Sequence, residues 1–144
     1  MAEAPITRPV ELPSGKVVNI QLRRGHVLVC ALGNACGNSE RGYAPVLANL
    51  YKAERERRGL KFDLHVSLTD CLGPCSVGNV VMLTFDGETH CFRSMDGEEQ
   101  VLQLFDYVES MRAAGVYHEP PEPLATLRFT RFHSELRSED PEVG

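Results

Sequence analysis

No apolar run in this chain approaches the roughly eighteen residues that a membrane-spanning helix needs, which sets aside an integral helical membrane protein. The first residues, Met1-Ala2-Glu3-Ala4-Pro5, lack the basic start and apolar core of a signal peptide. The expectation is therefore a cytoplasmic protein, in a compartment where thiols stay reduced. There is no basic excess either. A formal net charge of −5 argues against nucleic acid as a partner and suits docking on basic patches of a partner protein. Cysteine is present, but its count of five is odd, which does not suit a disulfide framework. Also absent are a Cys-x-x-Cys dithiol, a Rossmann glycine fingerprint, a P-loop and a nucleophile–base pair. His90-Cys91 resembles the start of a phosphatase His-Cys-x5-Arg loop, but position 97 is Gly97. Catalysis by this chain is thus not indicated.

What the chain does have is patterned. Its 144 residues, 42% hydrophobic and 24% charged, are enough for one globular domain with a sizeable core. Residues 1–16, with Pro5, Pro9 and Pro13, read as an irregular arm. Val18, Ile20 and Leu22 alternate with polar residues as in a short half-buried strand, and Arg23-Arg24-Gly25 reads as a solvated turn. His26 to Leu32 is a continuous β-rich run suited to a strand covered on both faces.

A helix is expected over 43–58, with Pro45 in its first turn and Tyr43, Val46, Leu47, Leu50 and Tyr51 as its apolar stripe. Arg55, Arg57 and Arg58 crowd its last turn, where cations suit the helix dipole, and Gly59 stops it. Phe62 to Leu68 is the next strand. Val80 to Phe85 and Thr89 to Arg93 flank Asp86-Gly87-Glu88, a hairpin signal. A last helix begins near Asp96 with Glu99 completing a capping box; Val101, Leu104, Phe105, Val108 and Met111 form its stripe and Gly115 its cap.

This order, β-α-β-β-β-α, predicts a thioredoxin-like α/β fold with a central mixed sheet of about four strands and helices packed on it. Three parts follow: an arm over 1–24 with a possible extra strand, a domain over 25–115, and a proline-rich tail over 116–144. In that tail, Leu124 to His133 reads as a strand or a crossing segment, and residues 134–144 as disordered.

The chemistry lies in two cysteine pairs. Cys71 and Cys75 sit in the loop after the Phe62–Leu68 strand, and Cys30 and Cys36 end and follow the His26–Leu32 strand. If those strands are parallel, both loops leave the sheet at the same edge, the usual ligand position in open α/β sheets. Structural zinc usually takes pairs two to four residues apart or mixed Cys/His sites. Here five residues separate one pair and three the other. Plant-type and two-cluster ferredoxin spacings do not match, and neither loop offers the histidines of a Rieske centre. On residues alone, a structural zinc-binding interaction module and a metal-free thiol oxidoreductase remain alternatives.

The motif Cys30-x5-Cys36, thirty-four intervening residues, then Cys71-Leu72-Gly73-Pro74-Cys75 resembles the thioredoxin-like [2Fe–2S] ferredoxin family. It is also similar to the iron–sulfur subunit beside the flavin in respiratory complex I and NAD-linked hydrogenases, although the five-residue first spacing departs from the four expected there. The resemblance spans about residues 25–115, and the proline-rich tail has no counterpart in it. It implies Cys30, Cys36, Cys71 and Cys75 as ligands of one [2Fe–2S] cluster per chain. It also implies a one-electron carrier that works between a reductase and an electron acceptor, without turnover of its own, and a homodimer. Gly33, Gly37, Gly73 and Gly78 are candidates to bring backbone N–H groups close to sulfur. Cys91, on the second hairpin strand, reads as a small buried hydrophobe. His26 and His65 read as core or edge residues, and His118 and His133 carry no assignment.

Overall fold

The computed structural model describes residues 5–31 and 36–139, without the side chains of 75 and 137–139. Strands β1 (Ile6–Glu11) and β2 (Val17–Leu22) pair antiparallel as a separate ribbon, Ile6 opposite Leu22 and Glu11 opposite Val17. The arm expected to be irregular thus contains a strand. Pro9 is tolerated there because a two-stranded ribbon consists only of edges. Gly15, at φ 90°, makes the turn, its N–H donating to the Leu12 carbonyl at 2.8 Å. The alternation in β2 covers no core: Ile20 and Leu22 are 44 and 40% exposed, and Val18 is only half-buried.

The main sheet begins with β3 (Gly25–Cys30). After a loop and a short 3-10 turn at Ser39–Arg41 comes helix α1 (Ala48–Arg57). Strand β4 (Leu64–Thr69) lies parallel to β3. Strands β5 (Val81–Phe85) and β6 (Glu88–Phe92) form the expected hairpin. Asp86 and Gly87 both have positive φ, 50° and 87°, as a two-residue turn matched to strand twist requires. Helix α2 (Glu98–Ala114) follows, then a four-residue helix α3 (Glu122–Ala125), strand β7 (Arg128–Phe129) and helix α4 (His133–Glu139).

The sheet order is β4-β3-β5-β6-β7, with β3 and β4 parallel and the other pairs antiparallel. A β-α-β unit, a hairpin and a closing helix in this order make a thioredoxin-like mixed α/β sheet. Its fifth strand comes from the proline-rich segment.

The core occupies one face. Val27 and Val29 of β3, Leu64 and Val66 of β4, and Val81, Leu83 and Phe85 of β5 pack with Val101, Leu104, Phe105, Val108 and Met111 of α2. All five expected α2 positions are buried. On the opposite face, register aligns Leu28, Met82, Cys91 and Phe129 in one row. Leu28 and Met82 are only half-buried, so β3 is not covered by helices on both sides as its continuous apolar run suggested.

Helix α1 starts five residues later than expected, because the chain before it has other work. The Ala44 carbonyl accepts from Asn79 Nδ2 at 2.8 Å, and Val46 packs beside Cys30 and Cys36. Pro45 therefore precedes the helix. The basic end of α1 joins an ion network across both helices. Arg58 reaches Glu54, Asp106 and Glu109 at 3.0, 2.7 and 3.2 Å, and Arg112 caps the Gly59 carbonyl at 2.9 Å. The start of α2 also moves by one residue. Gln100 Oε1, instead of Glu99, accepts from the Gly97 N–H at 2.9 Å. Arg24, expected to be solvated, forks onto Asp86 at 2.6 and 3.0 Å.

The segment after Val116 folds onto the domain. Tyr107 donates to the His118 carbonyl at 2.6 Å, Leu124 is fully buried in the core, and β7 pairs Phe129 with Cys91. Residues 133–139 form α4 where disorder was expected; residues 140–144 lie outside the described residues. No helix among the described residues is long and apolar enough to cross a membrane.

Candidate metal centre

Parallel pairing decides where the cysteine loops meet. Cys30, the last residue of β3, stands in register with Thr69, the last residue of β4, and Ala31 N–H donates to the Thr69 carbonyl at 3.0 Å. The Cys71 loop therefore leaves the sheet beside the Cys36 loop. Cys30 N–H also donates to the Val80 carbonyl at 3.1 Å, drawing the entry to β5 into the same place.

Cys30, Cys36 and Val80 form a buried cluster, 1, 3 and 2% exposed. Packed on it are Val46, Leu72, Val77 and Phe129. Leu72 follows Cys71 directly, so the second loop touches this cluster through its own side chain. Cys71 itself is exposed, and Gly73 N–H donates to its sulfur at 3.2 Å.

Cys71 is disulfide-bonded in this structure, and only after reduction does it become a thiolate able to bind metal. Cys75 opens a short 3-10 turn, Cys75–Val77, and its side chain lies outside the described residues. Among the described residues no group of three or more His, Cys, Asp or Glu side chains is arranged to hold a metal ion.

Burial, then the neighbouring Cys30 sulfur, pushes the Cys36 thiol up to about 11, and its Sγ–H donates to the Gly78 carbonyl at 3.5 Å. A buried thiol raised in this way stays protonated alone, whereas a metal charge deprotonates a coordinating thiol outright. Sulfur donors in an apolar setting suit zinc or an iron–sulfur centre, so the donor chemistry fits the group the sequence suggested.

The candidate glycines divide. Gly73 gives its N–H to sulfur, and its φ of 117° lies in the region that favours glycine. Gly37 gives its N–H to Asn79 Oδ1 at 2.7 Å instead, and Gly78 offers Cys36 a carbonyl. Gly33 lies outside the described residues.

Three residues at the site had no role in the sequence reading. Asn79, 2% exposed, links the Cys36 loop to the strand entry after Cys75. Phe129 of β7 packs on the cluster of Cys30, Cys36 and Val80. Arg131 Nη2 donates to the Leu72 carbonyl at 3.4 Å. The alternation Leu127-Arg128-Phe129 was a visible strand signal, but its pairing partner was not.

The other candidates lie elsewhere. Cys91 is a buried free thiol on β6, outside the Cys30–Cys36 cluster. His26 bonds Ser67 at 2.8 Å and meets His65 edge to face. His118 lies 2.9 Å from Ser110, and His133 opens α4.

No protein-family model matches the chain, and no curated protein matches it. Solved structures do resemble it. One is the wild-type thioredoxin-like [2Fe-2S] ferredoxin from Aquifex aeolicus, at 21% identity and TM-score 0.47, covering 76% of this chain and 100% of that one. Another structure of a thioredoxin-like [2Fe-2S] ferredoxin from Aquifex aeolicus is 20% identical with TM-score 0.48, covering 76% of this chain and 93% of that one. The chain is thus similar to thioredoxin-like [2Fe-2S] ferredoxins, and its own strand order is the thioredoxin-like one.

Proposed function

We propose that this chain is a [2Fe–2S] electron carrier, with one cluster per chain held by Cys30, Cys36, Cys71 and Cys75. The carrying observation is the β3–β4 register. It sets Cys30 beside Thr69, and Leu72 of the second cysteine loop packs on the cluster of Cys30, Cys36 and Val80. When bound, such a cluster exchanges single electrons. The chain's own residues set the surroundings. Val46, Val77, Val80 and Phe129 keep water from one side, while Gly73 N–H favours negative charge on the Cys71 sulfur. Cys71 lies on the exposed side, where a partner approaches. The partners proposed are a reductase and an electron acceptor, steered by the net negative charge, and the setting is the cytoplasm. A homodimer is part of the same reading.

Zinc is the second reading, because thiolates alone serve it equally well; the ligand spacing favours iron–sulfur. Anaerobic purification under reducing conditions separates the two. The expected result is a brown protein with sulfide-to-iron charge-transfer bands, about two irons per chain and an EPR signal on reduction. A colourless protein that retains one zinc overturns the carrier reading.

A further inference from the structure

The Cys71 loop is closed from outside by a cation that belongs to the C-terminal segment. Strand β7 carries Phe129 onto the cluster of Cys30, Cys36 and Val80, and two residues later Arg131 reaches the loop. Its Nη2 lies 3.4 Å from the Leu72 carbonyl. A Cβ added at Gly73 would come within 2.7 Å of that same nitrogen. The guanidinium therefore lies against Leu72 and Gly73, the residues that follow Cys71, and Gly73 is the one whose N–H points at the Cys71 sulfur. The backbone behind Arg131 is also held: Glu135 Oε1 accepts from the Arg131 and Phe132 N–H groups at 3.2 and 2.9 Å. That turn aims the arginine at the loop.

The geometry points to Arg131 as a positioning residue that sets the electron affinity of the cysteine site. This inference rests on the cluster reading above. One-electron reduction adds one negative charge to the site, with the electron supplied by a reductase. A nearby fixed positive charge stabilises the reduced form more than the oxidised form. Arginine keeps its charge at every working pH, and burial and nearby charge are among the levers by which a protein tunes such centres. The Arg131 side chain is exposed, so added salt screens its effect.

The test is a mediated redox titration of the loaded protein, comparing wild type with Arg131→Gln, Arg131→Met and Arg131→Lys at low and high salt. Both uncharged variants are expected to weaken reduction about tenfold at low salt, a fall of about 59 mV for one electron. The difference should shrink at high salt, and Arg131→Lys should stay near wild type. Absence of iron from the wild type overturns the cluster reading itself. A loaded wild type and a loaded uncharged variant with equal potentials overturn only the role of Arg131. Loss of iron from both uncharged variants also overturns the charge role, because it makes Arg131 a requirement for assembly.

Discussion

Asn79 holds Gly37: its Oδ1 accepts the Gly37 N–H at 2.7 Å, while its Nδ2 donates to the Ala44 carbonyl at 2.8 Å. One buried amide thus fixes the loop of Cys36 to the entry of β5. Asn79→Ala leaves a partly buried donor and acceptor without their partner, a loss of about 1–3 kcal/mol. The expected outcome is a lower urea midpoint together with weaker metal retention. An unchanged midpoint would show that the clamp contributes nothing.

Cys91 and Cys36 should behave oppositely on substitution. Burial, then the charge of Glu135, pushes the Cys91 thiol up to about 11, so at neutral pH it is protonated and unreactive. Cys91→Ala should keep the visible spectrum of the loaded protein, whereas Cys36→Ala should lose or severely disturb it. Alkylation of Cys91 should require unfolding. Loss of the spectrum in the Cys91 variant would move the ligand assignment to β6.

Leu124 tests whether the segment after Val116 belongs to the fold. It is fully buried in the same core as Phe105 and Met111, and truncation of such a residue to alanine costs about 2–5 kcal/mol. Leu124→Ala is therefore expected to lower the thermal midpoint by several degrees. A neutral effect would make the segment a tethered appendage.

Glu54 gives the fold an acid-sensitive contact. Hydrogen bonds from Arg57 and then Arg58, working against its burial, lower the carboxyl from 4.5 to about 2. A group whose pKa is depressed by folding stabilises the native state above its unfolded pKa. That contribution is lost as pH falls from about 4.5 toward 2. Glu54→Gln should flatten the stability profile in this window, as read from urea midpoints. A profile as steep as wild type would assign the acid sensitivity to other carboxylates.

Local pattern made much of this protein legible. The spacing of Val101, Leu104, Phe105, Val108 and Met111 marked one helix face, and all five are buried. Asp86-Gly87 marked a two-residue turn because few other pairs adopt two consecutive positive φ values easily. The β-α-β order carried the inference that Cys30 and Cys71 lie at one sheet edge, since a crossover helix joins parallel strands.

Local pattern misled where long-range contacts override propensity. The α1 periodicity ran back to Tyr43, but the Asn79 amide and the Cys36 site claim Ala44 and Val46. Pro9 and Pro13 suggested an irregular arm, yet Ile6–Glu11 finds a strand partner in Val17–Leu22.

The sequence by itself determined the two cysteine pairs, the strands they follow and the helix face that buries the core, because each of these is a short-range periodicity or spacing. Only the tertiary structure decided that β7 joins the sheet, that Phe129 packs on the cluster of Cys30, Cys36 and Val80, and that Arg131 reaches the Leu72 carbonyl. Those contacts join residues about forty or more positions apart. No spacing rule reaches across such a distance; strand pairing and packing choose the partners.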